Sequence, residues 1–513
     1  MTYILGLIAT AAFLALASCG ENKTASSPYG SLSEDYFDSI SDKALKTSPQ
    51  LIHRNIIKIS QYDINGIASD RRAREHYLHH KDSPDAFLWI DFNGVSRQAD
   101  SLLACLDSCE KEGISSKSLR LERIRSDMNI VKTLAFTDKN PDDNDIDMVL
   151  ARLEYNLTRA FLRYAVGQRY GFTNPKQYLN RLDIRDSDSV RTTYRTLFDI
   201  PIHIKGPVTF HEAIRSVRND SAGWYLRQAM NHSRTYTELK KCLDSPQTYD
   251  REKVLVNMER ARWQPAEMPD GNDDHIIVNI PSFRLWAMRN GIPQIDTRIC
   301  CGAVKTKTPL LYSRLKRMDV NPLWIIPMSI RKNELARHVG DANYFLSRNY
   351  YAQNKKTGKK LTGEDITWNV ITSGEWSVIQ KGGQGNSLGR IIFRFDNNFS
   401  IYIHDTSSRS AFEKGNRAVS HGCIRVENPY ELARYLLNGN DDETAEKIKY
   451  SMEADLMAPD TKASKLVHSV NISPQIPLSI VYYTLYPIHN KVESFPDIYG
   501  YDVITGNELK KCI

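Results

Sequence analysis

The sequence predicts an α+β chain of several domains, with a mainly helical first half, a mostly β second half and a polar insertion inside the β half. Three observations carry this. Apolar residues recur at helical spacing between about residues 34 and 262. Short runs rich in β-branched and aromatic residues dominate after residue 273. Between them, residues 267–274 combine Pro269 and Gly271 with Glu267, Asp270, Asp273 and Asp274, a composition that marks a boundary. At 513 residues and 41% hydrophobic content, the chain can build two or three cores.

The N-terminal apolar run, residues 4–17, is too short for a confident spanning helix and suits the core of a signal peptide. It ends in Leu16-Ala17-Ser18-Cys19-Gly20, which resembles the lipobox of bacterial lipoproteins. That resemblance implies removal of residues 1–18 and a diacylglycerol on Cys19, so that the protein is a membrane-anchored lipoprotein of the cell envelope, facing the periplasm. An ordinary signal peptide with a chance cysteine is the alternative. Residues 19–33, small and polar, then read as a flexible tether.

The clearest helix of the 34–262 domain covers residues 147–166. Leu150, Leu153, Leu157, Ala160, Phe161 and Tyr164 share its apolar face, and Gly167, Gly171 and Pro175 end it. Arg152, Arg159 and Arg163 are expected on its exposed face. Cys105 and Cys109 fall on a predicted helix and Cys300 and Cys301 in a predicted strand. Neither pair has zinc-finger spacing, and small buried hydrophobes is the simplest reading of most of the cysteines.

The β half is read as residues 273–458, with a C-terminal segment from 459 to 513. Strands are expected at 275–280, 322–327, 391–395 and 400–404, a helix at 428–438 and a further strand at 480–484. Residues 330–368, rich in Asn, Lys and Tyr, read as an insertion capping a site.

The net charge of +7 is a small excess of 68 basic over 61 acidic residues, and no basic run with interleaved aromatics appears, so nucleic acid is not an expected partner. A mild positive bias suits a carboxylate-rich polyanion such as a cell wall.

The chemistry concentrates in two places. In residues 400–404, alternation sets Tyr402 and His404 on one face and Ile401 and Ile403 on the other. After a spacer of fifteen residues, 405–419, comes Ser420-His421-Gly422-Cys423-Ile424-Arg425. A cysteine attacks acyl groups as thiolate, and a neighbouring imidazole can take its proton. His404, aimed by a strand, is the better base, since His421 is only two residues from Cys423. Gly422 permits a close turn, after which backbone N–H groups near Gly422 and Cys423 face a developing oxyanion. Two bland alternatives remain: a buried structural cysteine, and a metal site of His404, His421 and Cys423, which lacks paired ligand spacing and a fourth ligand. No metal or cofactor is expected.

Together, His404, the spacer, and Ser420-His421-Gly422-Cys423 followed by a hydrophobic residue and Arg425 resemble the signature of the L,D-transpeptidase (YkuD) family. Asn321-Pro322-Leu323-Trp324, Asn386-Ser387-Leu388-Gly389-Arg390, Gly167-Gln168-Arg169-Tyr170-Gly171 and Asp497-Ile498-Tyr499-Gly500 are similar to the large YcbB type, with a helical scaffold domain before the catalytic one. The small peptidoglycan-binding module often found between them has no counterpart in residues 210–262. The resemblance implies a peptidoglycan stem tetrapeptide as donor, a Cys423 thioester, 3→3 crosslinks and acylation by carbapenems. It implies that His404 acts as base, oriented by a backbone carbonyl such as that of Asp405. Tyr402 supports the oxyanion, and Arg425 holds a loop or a substrate carboxylate, with a structural ion pair as the alternative for Arg425. Water as acceptor gives a carboxypeptidase or crosslink hydrolase, a protein amine gives attachment to the wall, and a non-catalytic wall-binding lipoprotein is the reading from another class.

Overall fold

A computed structural model describes residues 47–513 apart from 64–65, 81–86, 92–93, 138–143, 188–191, 203–205, 246–247, 264, 266–273, 438–440 and 457. Cys19, the apolar leader, the tether and most of the expected boundary at 267–274 lie outside the described residues.

The helical half is built from α1 (Pro49–Ser60), α2 (Ala68–His79), α3 (Arg97–Leu106), α4 (Leu121–Thr133), α5 (Ile146–Tyr170), α6 (Pro207–Arg218), α7 (Ala222–Ala229), α8 (Arg234–Cys242) and α9 (Arg251–Arg262). Helix α5 is the axle. Asp145 caps it by accepting the Met148 N–H, and it is buried on nearly every side. It runs through Gly167 rather than ending there. A Cβ at that position would lie 2.2 Å from the Phe172 ring, so the glycine admits Phe172 against the helix. Gly171, at φ +84°, ends it.

The expectation that Arg152, Arg159 and Arg163 line an exposed face is wrong. All three are buried and ion-paired: Arg152 with Asp127 at 2.6 Å, Arg159 with Asp70 at 3.0 Å, and Arg163 with Asp70 at 2.6 Å. Buried charges survive only with such partners. Glu154 on the same helix accepts the backbone N–H groups of Leu88, Trp89 and Ile90, while burial pushes its carboxyl up to about 7.

The β half holds β1 (His275–Asn279), β2 (Arg284–Arg289), β3 (Ile292–Gly302), β4 (Leu310–Val320), β5 (Ile391–Phe395), β6 (Ile403–His404), β7 (Ala418–Ser420), β8 (Ile424–Val426) and β9 (Ser469–Val481). Eight of them pair in the order β5-β6-β8-β3-β2-β1-β9-β4, and β4 pairs with β5 again, closing a barrel. Strand β7 runs parallel to the end of β3. Ile276, Val278, Leu285, Ile299, Leu315, Phe393, Ile403, Ile424, Val426 and Ile480 belong to one buried core.

Strand β9, antiparallel to β4 and parallel to β1, is part of this barrel, so the segment 459–513 does not stand apart from the catalytic half. After it, the helix Tyr501–Lys510 lies against α9, where Arg260 and Asp502 pair at 2.5 Å. The helical half also lends the strand Phe198–Asp199, parallel to the start of β4.

The insertion is wider than 330–368. Its sheet comprises Trp324–Ile325, Tyr350–Asn354, Lys360–Leu361 and Trp376–Gln380. With the helices between them it has its own core, including Ile330, Phe345, Ile371 and Val378, against which Trp324 packs.

Candidate active site

Strands β6 and β8 run parallel, with Ile403 beside Ile424 and His404 beside Arg425, and the Ile424 N–H donates to the Tyr402 carbonyl at 2.9 Å. Because side chains alternate and paired residues share a face, Ile401, Ile403, Ile424 and Val426 fill the barrel core. Tyr402, His404, Cys423 and Arg425 then share the opposite, outer face. Strand β6 is shorter than the expected 400–404. Ser400 has φ +54°, and the Asn397 side chain accepts the Ile401 N–H (3.0 Å) and donates to its carbonyl (2.9 Å), where a strand neighbour would otherwise bond.

His404 is 4% exposed. Its Nδ1 lies 2.5 Å from the Asp405 carbonyl oxygen. A carbonyl can only accept, so Nδ1 carries the proton and Nε2 keeps its lone pair. Burial, helped by the Arg425 charge, pushes the imidazole down to about 4, while the Asp405 and Leu388 carbonyls pull the other way. The Asp405 side chain is fixed in turn: it accepts the Arg390 N–H at 2.8 Å and pairs with Arg409 at 2.9 Å.

Cys423 is half-buried, and its Sγ lies 3.9 Å from the Ser400 carbonyl. Burial pushes the thiol up, against the opposing pull of the Tyr402 backbone and the Arg425 charge. Both shifts favour the uncharged forms.

The turn before Cys423 is closed from within. Gly422, at φ +119°, donates its N–H to Ser420 Oγ (3.1 Å), and Ser420 Oγ donates to the Cys423 carbonyl (2.6 Å). The Gly422 N–H is thus engaged rather than facing a substrate. The Cys423 N–H has no protein partner among the described residues, which leaves it as the backbone donor beside the thiol.

A second layer was not foreseen in the sequence. Thr306 Oγ1 donates to the Ser420 carbonyl and Thr308 Oγ1 to the Gly422 carbonyl, both at 2.8 Å, while Thr308 Oγ1 accepts the Gly302 N–H at 2.9 Å. The Tyr499 hydroxyl, from beyond β9, donates to the Gly302 carbonyl at 2.5 Å and accepts the Thr308 N–H at 3.2 Å. Threonines in a loop carry no catalytic signature; Gly302, where a Cβ would sit 2.1 Å from the Thr306 carbonyl oxygen, was the one available hint.

Two further residues separate cleanly. His421 turns away, its Nε2 2.7 Å from Glu334 of the insertion, so it does not join His404 and Cys423. Among the described residues no three His, Cys, Asp or Glu side chains come together as a metal-binding group. The Arg425 guanidinium has no carboxylate partner among the described residues, and its Nε is buried without a hydrogen bond, against the ion-pair alternative.

A half-buried thiol and a strand-borne imidazole thus lie on the outer wall of one closed barrel. Residues 273–448 match the L,D-transpeptidase catalytic domain family, YkuD, and residues 74–243 match the scaffold domain family. The scaffold match precedes the catalytic match along the chain. It is similar to a Haemophilus influenzae protein named as an L,D-transpeptidase, with 31% identity over 252 residues, 49% of this chain. The match spans about half of that relative, 48% of its length.

Proposed function

We propose that the protein is a peptidoglycan L,D-transpeptidase that forms 3→3 crosslinks through a Cys423 thioester. One observation carries the reading: Cys423, His404, Tyr402 and the unpaired Arg425 share one face beside a turn whose Cys423 N–H is unengaged. As Sγ attacks the carbonyl of the third stem residue, its proton passes to His404 Nε2, and the Asp405 and Leu388 carbonyls stabilise the imidazolium. The oxyanion lies against the Cys423 N–H, with Tyr402 beside it. His404 returns the proton to the departing D-amino acid amine, leaving the thioester. A side-chain amine of a second stem attacks that thioester, gives its proton to His404 and closes the crosslink, with the thiol restored. Arg425 holds a stem carboxylate.

Cys19 is proposed to carry the lipid anchor that keeps this domain in the envelope; a Cys19→Ser chain moving from the membrane to the soluble fraction is the expected result.

The test is incubation of the full chain with disaccharide-tetrapeptide and mass analysis of the products. A 3→3 dimer that disappears in Cys423→Ala, together with a covalent carbapenem adduct on Cys423, is expected. Arg425→Gln should raise KM about tenfold, the loss of one charge-assisted contact. Tripeptide without dimer means water is the acceptor and overturns the crosslinking reading. Neither product nor adduct overturns the enzyme reading.

A further inference from the structure

Far from Cys423 in sequence, helices α2 and α6 leave a groove between them with a volume of about 570 Å³. This lies within the roughly 300–1,000 Å³ range of built ligand sites. Its two walls follow one rule. Arg72, His76 and His79 occupy positions i, i+4 and i+7 of α2, and His211, Arg215 and Arg218 occupy i, i+4 and i+7 of α6. That spacing sets each trio along one helix face. The floor is apolar, with Phe210 and Ile214 buried. Among the described residues the one carboxylate lining the groove is Glu75, bound to Arg72 at 2.6 Å and facing Arg71 at 3.8 Å.

We propose that this groove is a second binding site, for the carboxylate-bearing strands of the wall polymer. The proposal rests on peptidoglycan being the substrate. Each wall extends about 10 Å along its helix axis, which suits repeated carboxylates on a polymer better than one isolated ion. The apolar floor accepts sugar faces and alanine methyls, while Arg215 on the α6 wall supplies the charge that a stem carboxylate complements, Arg72 opposite it being already paired with Glu75. Grip here would hold the strand while Cys423 works on its stems, without touching the reacting atoms.

The test uses the full chain in a Cys423→Ala background, so that no covalent capture intervenes, and measures co-sedimentation with purified sacculi. His211→Glu together with Arg215→Glu should bind about tenfold more weakly, as expected for one reversed charge and one added negative charge. Arg215→Lys should bind as the parent does, and added salt should weaken the parent. With Cys423 intact, the double variant should keep its melting temperature and its turnover of soluble disaccharide-tetrapeptide. Parent-like sedimentation of the double variant overturns the proposal. So does an equal loss in Arg434→Glu on the catalytic half, or binding by the groove to anionic phospholipid vesicles instead of sacculi. If the intact chain fails to turn over the soluble substrate, the functional reading falls by that result alone, and the sedimentation comparison still reports on the groove.

Discussion

At Cys423 and His404, burial acts in opposite directions on two titrating groups, raising the thiol and pushing the imidazole down to about 4. Both shifts favour the uncharged forms. Little thiolate is therefore present at neutral pH, and alkylation of Cys423 by iodoacetamide should climb with pH through 9 and beyond, with no plateau at acid pH. On the acid side the unprotonated base should persist, so kcat/KM should hold its neutral value down to about pH 5, where an unshifted imidazole would be almost wholly protonated. An acid limb near 6.5 in the rate profile would refute this. The linkage has a definite sign. The unfolded imidazole binds a proton that the folded one refuses, so this residue's contribution to stability is complete above about pH 6.5 and is lost as pH falls toward 4.

At the level of elements, the turn before Cys423 is held by the stretch 302–308. Thr308 Oγ1 is the hinge, accepting from Gly302 and donating to Gly422. Thr308→Val keeps the shape and removes both bonds. It should lower kcat about 10- to 100-fold with KM little changed, because the Cys423 N–H loses its aim, and Thr308→Ser should restore it; a KM effect alone would count against a positioning role. The contrast with what the sequence disclosed is physical. The face shared by Tyr402 and His404 was legible because a period of two alternates them with two core isoleucines. The Asp405 carbonyl was legible as an orienter because it adjoins the histidine. The burial of Arg152, Arg159 and Arg163 was not, since their partners Asp127 and Asp70 come from other helices. Nor was the engagement of the Gly422 N–H, which depends on a side-chain rotamer of Ser420.

Across the whole molecule, the face that carries Cys423 and His404 belongs to a closed barrel, and closure depends on residues far beyond the motif. Strand β9 fills the gap between β1 and β4, and its Ser, Asn, Pro and Gln residues hid most of it from hydrophobic patterning. Three residues after β9, the Thr484 N–H donates to Asn257 of α9 at 2.9 Å, and the Tyr499 hydroxyl reaches back to the 302–308 stretch. A chain ending at residue 458 retains Cys423 and His404, yet it exposes two long strand edges and loses Ile472, Ile476, Leu478 and Ile480 from the core. It should fail to give a cooperative thermal transition and should show no carbapenem adduct at Cys423. A truncated chain that melts cooperatively and acylates at the full chain's rate would mean that the nucleophile turn is set by β6 and β8 alone, without the closure and the Tyr499 hydroxyl that support it.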